Sequence, residues 1–136
     1  MALECILVYE TSIPISFKCA DTAIPKGSIL VLTDPNTVAI TTGDTDACAG
    51  IAAEEYIASS GILKIPVYTS GTFKGYAGAA GVTAGMAIIT DTGTGAANEL
   101  VVADINSEHI VGRALETATD TESFLFELKP FAAQLA

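Results

Sequence analysis

The chain has 136 residues, half of them hydrophobic and 16% charged, enough for a domain with a real core and too apolar to be disordered. Sixteen acidic residues against six basic ones give a net charge of −10. With no cluster of Lys and Arg, that balance argues against nucleic-acid partners and against an anionic membrane surface.

The first 24 residues differ from the rest. Leu3 to Glu10 is a short apolar run, and Ser12 to Lys18 alternates apolar and polar residues around Pro14, the mark of an extended segment with two faces. Proline cannot donate a ladder hydrogen bond, so this piece belongs at a sheet edge or outside a sheet. An N-terminal arm is expected over 1–24, a folded body over 25–130 and a short tail over 131–136. The opening residues carry no basic stretch ahead of the apolar run, so they are not expected to act as a signal peptide.

In the body, Ile29–Leu32 reads as a buried strand, Asp34-Pro35-Asn36 as a turn and Val38–Thr41 as the returning strand. Thr42–Asp46 reads as a loop. Ala49–Tyr56 is expected to be a strand although Ala-Ala-Glu-Glu locally favours helix. Ile62–Tyr68 and Thr72–Tyr76 form a predicted hairpin about Ser70-Gly71, with Pro66 demoting the first strand to an edge or a bulge. Ala77 to Gly85 is a small-residue connection where backbones can approach closely. Met86–Thr90, Glu99–Ala103, Ile110–Ala118 and Ser123–Lys129 are the remaining predicted strands. Asp91–Gly95 and Asn106–His109 lie between them as a loop and a turn, and Pro130 is expected to end the last strand.

Two parts of this pattern occur twice. Gly27-Ser-Ile-Leu-Val-Leu-Thr-Asp34 is echoed by Gly85-Met-Ala-Ile-Ile-Thr-Asp91, and Gly50-Ile-Ala-Ala-Glu54 by Gly112-Arg-Ala-Leu-Glu116. The Thr-Asp pairs are 91 − 34 = 57 residues apart and the glycines 112 − 50 = 62. Two copies are too few for a solenoid and suit a small closed barrel made from two related halves. The expected fold is therefore all-β.

Residues able to do chemistry are sparse. His109 is the single histidine, so a histidine-based metal site is excluded and a solvated turn residue is expected. Glu54 and Glu116 hold equivalent repeat positions; paired carboxylates perform acid–base work only when they flank one substrate, and related halves usually place such residues apart. Gly93-Thr-Gly95 lacks the third glycine of a dinucleotide loop, and Gly75, Gly78 and Gly81 are not followed by the Lys-Ser/Thr of a phosphate loop. Cys5, Cys19 and Cys48 are odd in number and widely spaced, which points to reduced thiols and away from zinc. No cofactor and no metal is expected. The apolar arm residues Leu3, Ile6, Val8, Tyr9, Ile13, Ile15 and Phe17 leave two alternatives: the arm adds a strand to a partner's sheet, or it folds back as one more strand of its own barrel.

Across residues 25–130, the stretch Tyr68-Thr-Ser-Gly-Thr-Phe-Lys74, the segment Gly81–Asp91 and the Gly50-Ile-Ala and Gly112-Arg-Ala elements resemble capsid decoration (cement) proteins of tailed viruses, in particular the lambda-type head decoration proteins. The resemblance implies a β-tulip or barrel body without enzymatic activity. It implies three copies over a three-fold position of the shell, an N-terminal arm paired with the major capsid protein, and a place on the outer surface of a virion assembled in the host cytoplasm. Under it, Leu3, Ile6, Val8, Tyr9, Ile13, Ile15 and Phe17 would bind the capsid, and Ala77, Gly78, Ala79, Ala80 and Gly81 would meet neighbouring copies of a homotrimer. This arm departs from the lambda type in being apolar rather than rich in Thr, Gly and Pro. A body that keeps its fold but no longer binds capsids is then expected on deleting residues 1–20. Two other classes fit the same residues: a surface-layer or fibre module, and a small hydrolase using Glu54 or Glu116.

Overall fold

A computed structural model describes residues 5–41, 48–90, 98–102 and 109–132, with backbone alone at 109, 131 and 132. Eleven strands and no helix appear among the described residues: β1 (Ile6–Tyr9), β2 (Ile15–Cys19), β3 (Ile29–Asp34), β4 (Thr37–Ile40), β5 (Cys48–Ala52), β6 (Lys64–Tyr68), β7 (Gly71–Ala77), β8 (Ala87–Thr90), β9 (Glu99–Val102), β10 (His109–Ala114) and β11 (Ser123–Ala132).

The two related halves are present, and each closes on itself. β2-β4-β3-β5-β6 form one five-stranded barrel, and β7-β9-β8-β10-β11 form a second with the same connections. In each, the closing contact is a parallel pair, Lys18 opposite Thr37 in the first and Tyr76 opposite Glu99 in the second. Leu30 faces Gly50 as Ile88 faces Gly112. The bridge between Ile24 and Tyr56 recurs between Val82 and Ala118. Gly27 and Gly85 share the left-handed conformation, with φ of 87° and 86°, as do Asn36 and Asn98 at 54° and 80°. The register places Leu32, not Thr33, in step with Thr90. The two Thr-Asp pairs are thus one residue out of phase, and a bulge between Leu32 and Asp34 lies at that point.

Interior positions correspond one by one. Cys19, Ile24, Leu30, Val38, Ala52, Ile65 and Val67 fill the first barrel. Ala77, Val82, Ile88, Leu100, Ala114, Phe124 and Phe126 take the same places in the second. Volume is redistributed between them. Phe124 and Phe126 replace Ile65 and Val67, while Gly75 stands where the first barrel has Phe17. A side-chain carbon at Gly75 would come within 2.8 Å of the Phe126 ring. Conserving total volume is what lets two different residue sets fill one kind of space.

The barrels meet through side chains on the outside of the first. Ile29 and Ile51 join the apolar cluster that fills the second barrel, with Cys48 and Tyr68 packed against it. The Ile29 N–H donates to Asn98 Oδ1 at 2.7 Å. Burial pushes the Cys48 thiol up to about 12, so its sulfur stays protonated at neutral pH. No disulfide joins Cys5, Cys19 and Cys48.

Several local expectations change. Ala49–Tyr56 is a strand only to Ala52, and Tyr56 returns as a single bridge to Ile24. Pro66 lies in a strand paired on both sides, by β2 and β5. Its carbonyl still accepts the Ala53 N–H at 2.9 Å, and the N–H it lacks has no ladder role, since the counterpart N–H of Leu125 goes to the Glu116 carboxylate. Pro130 does not end β11. A bulge between Ile110 and Gly112 lets the strand pass it and pair again at Phe131. Leu3, the loops 42–46 and 91–95, residues 106–108 of the predicted turn, and the tail from 133 onward fall outside the described residues.

Candidate interaction surface

The N-terminal segment is neither free nor one piece. β1 runs antiparallel to β7, with Ile6 opposite Lys74 and Leu7 opposite Phe73. β2 is a stave of the first barrel, held by β4 on one side and β6 on the other. Between them the chain is tied down by side chains. The Tyr68 hydroxyl bonds the Glu10 carboxylate; burial, and then that bond and charge, raise the Tyr68 pKa. The hydroxyls of Thr11 and Ser12 each lie 2.7 Å from that of Ser70. Of the two sequence alternatives, folding back is therefore the arrangement adopted by this chain alone. The arm ranks as part of both barrels, because alternation around Pro14 supplies an inward face, Phe17 and Cys19, that the first barrel needs.

What remains outward is apolar. Ile6, Val8 and Tyr9 on β1 are exposed, as are Ile13 and Ile15; Ile13 keeps 80% of its surface in solvent. Phe17 is half-buried and packs on the first core. Among the described residues β7 is the one strand paired with β1, and the far side of β1 is a sheet edge among them. An exposed apolar strand on an edge is unusual in a protein that works alone.

The five small residues expected between copies are mostly internal. Ala77 lies in the second core and donates its N–H to the Glu122 carbonyl; the Gly78 N–H bonds the Leu100 carbonyl. Gly81 is buried with a φ of 74°, and a side-chain carbon there would meet the Ala118 carbonyl oxygen at 2.9 Å. Only Ala79 and Ala80 face solvent, at the tip of the turn. The small side chains serve close approach within the chain, which sequence alone does not distinguish from close approach between chains.

Glu54 and Glu116 sit on equivalent turns, one per barrel, and both are exposed. The Glu116 carboxylate accepts the Leu125 N–H at 2.9 Å. The residue corresponding to Leu125 in the first barrel is Pro66, which has no N–H. Glu54 instead borders a groove of about 380 Å³ with Glu55, Ile57, Ile62 and Lys64, and Glu116 is not among its walls. The two carboxylates are therefore not brought into one cleft. The asymmetry has a measurable result. Replacing Glu116 by Ala is expected to cost about 1 kcal/mol, the worth of one hydrogen bond, and Glu54→Ala to stay within about 0.5 kcal/mol. Chemical denaturation of the two variants checks this; equal effects would contradict it.

Among the described residues no group of three or more His, Cys, Asp or Glu is placed to hold a metal ion. The backbone of His109 opens β10 opposite Ala132. A second surface hollow, of about 280 Å³, is lined by Ile110, Gly112, Arg113, Glu127 and Lys129, with Arg113 Nη2 3.3 Å from Glu127 Oε1. No protein-family model matches the chain, and no curated protein matches it.

Proposed function

We propose that this chain is a non-enzymatic decoration protein that binds the outside of an assembled viral shell and stabilises it. Its partner in this reading is the major capsid protein, and it acts as a homotrimer at three-fold positions. The single observation that carries the proposal is the run of exposed apolar residues Ile6, Val8, Tyr9, Ile13 and Ile15 on one N-terminal segment. That segment opens with β1, an edge strand among the described residues, on a body whose two interiors are filled by their own side chains. A sheet edge with apolar flanks gives affinity through main-chain bonds and side-chain contacts. Weak contacts repeated over a shell add up by multivalency. A net charge of −10 suits an outward-facing protein, since nothing would be gained by facing packed nucleic acid.

The test is binding to purified shells in a density gradient. Wild-type chain is expected to band with the particles and to raise their disruption temperature. Ile6→Lys and Tyr9→Lys together place charge on an exposed face and are expected to weaken binding at least about tenfold, a loss of roughly 1.4 kcal/mol, with an unchanged melting curve. Banding of this variant at wild-type level would remove the N-terminal segment from the contact. Failure of wild-type chain to band with any particle of its source would remove the shell.

A further inference from the structure

The two barrels are joined by unlike surfaces. The row Ile29, Ile51 and Tyr68 runs across β3, β5 and β6 on the outside of the first barrel. It packs on the second barrel, where the Tyr68 ring meets the Phe73 ring edge-on at 5.7 Å and the Ile29 N–H reaches Asn98. A contact between two different patches has no built-in end. Where both patches recur on the body that it joins, it can be repeated.

Both recur in position. The register that sets Leu30 opposite Gly50 and Ile88 opposite Gly112 makes Ala87, Arg113 and Glu127 the counterparts of Ile29, Ile51 and Tyr68, in one row across β8, β10 and β11. On the first barrel Ile15 corresponds to Phe73, because Ile15 faces Val67 as Phe73 faces Phe126. Asn36 likewise corresponds to Asn98. Ile15 is 53% exposed, and Asn36 is exposed too. The receiving patch of the first barrel is therefore open, while the docking row of the second is open but charged. Arg113 Nη2 lies 3.3 Å from Glu127 Oε1, with the side chains 56% and 37% exposed, and Lys129 lines the same hollow.

An ion pair this exposed adds little to stability, so folding does not account for it. Its effect on a second copy is larger. Docking as the first barrel docks would strip water from both ions and set the Glu127 carboxylate against the apolar Ile15 side chain, a loss that the pair's own attraction does not offset. Repeated units end in the same way, on a terminal copy with a polar outer face.

We infer that the face of β8, β10 and β11 is a self-docking surface held shut by Arg113 and Glu127, and that this pair ends the stacking of barrels at two. The partner it excludes is a second copy of this chain, approached at the Ile15 end of that copy's first barrel. The inference stands on the internal repeat and does not depend on shell binding.

The test restores the first barrel's row in the second, with Ala87→Ile, Arg113→Ile and Glu127→Tyr together in the full chain. Sedimentation velocity over a concentration series is expected to show self-association at least about tenfold tighter than that of wild type, in species that grow with concentration. Adding Ile15→Lys to the triple variant is expected to return it to the wild-type profile. Arg113→Ala with Glu127→Ala removes the charges without adding bulk. It serves if the triple variant melts early, and is expected to associate in the same Ile15-dependent way. A folded variant of either kind that sediments as wild type does overturns the inference. So does association that survives Ile15→Lys, because new apolar side chains would then be sticking without the barrel-on-barrel geometry. Either result leaves the shell reading intact, since that reading is tested by wild-type chain on particles.

Discussion

Gly50→Ala is expected to destabilise the protein by about 3 kcal/mol or more, which combines overpacking against a fixed backbone with a strained dihedral. Gly50 has a φ of 151°. A side-chain carbon there would run into the Tyr68 carbonyl oxygen and come within 2.8 Å of Val67 Cγ1. Gly112 is its counterpart and is blocked the same way, by the Glu127 carbonyl oxygen, with the Glu127 carbonyl carbon at 3.0 Å and the Lys129 nitrogen at 3.1 Å. Both obstacles are backbone in the neighbouring strand, so relief requires β5 to move from β6, or β10 from β11. That would open a barrel rather than shift a side chain. A protein of this size has a total stability of roughly 5–15 kcal/mol, so either substitution removes a large share. Gly61 is the control. It has a φ of 76° with nothing within 4 Å, so Gly61→Ala should cost only about 1 kcal/mol of backbone strain. Urea unfolding of the three variants provides the comparison. A Gly50→Ala protein as stable as Gly61→Ala would mean that β5 and β6 do not meet as described.

Deleting residues 1–20 is expected to destroy the first barrel, contrary to the folded body that a separate N-terminal arm would leave. The deletion removes β2, one stave of five, and exposes the inner edges of β4 and β6 together. It also takes away Cys19 and Phe17 from the core. Removing only residues 1–9 keeps β2 and the bond from Glu10 to Tyr68. It uncovers Phe73 by taking Cys5 and Leu7 away, a loss of roughly 2–5 kcal/mol for large buried groups. Hydrogen exchange separates the two cases. The longer deletion should lose protection throughout β3–β6, and the shorter one mainly along β7. Intact protection of β3–β6 after the longer deletion would show that the first barrel closes without β2. Loss of shell binding in the longer deletion would consequently report unfolding, which is why point substitutions on the exposed face carry the functional test.

The duplication was legible because its most constrained positions are glycines. Gly27 and Gly85 adopt a left-handed turn, and Gly50 and Gly112 admit a neighbouring carbonyl; both demands show directly in residue type. Asn36 in its turn was legible for the same reason. Closure of each half into its own barrel was not. It depends on parallel contacts between β2 and β4 and between β7 and β9, and a pairing between distant strands leaves no periodicity in either. Prolines misled where their surroundings decide their cost. Pro66 occupies a position whose N–H, in the other barrel, goes to a side chain rather than to the ladder, and Pro130 rides on a bulge. The apolar N-terminal run was visible as a surface in search of contact. Its division between an internal seal and an outward face was not, because both uses select the same side chains.

A density map of the chain bound to its shell tests the central claim most directly. The account predicts that the N-terminal face, from Ile6 to Ile15, lies against the shell protein, with both barrels closed. A map in which that face points to solvent while another surface, such as the hollow beside Arg113 and Glu127, makes the contact would contradict it.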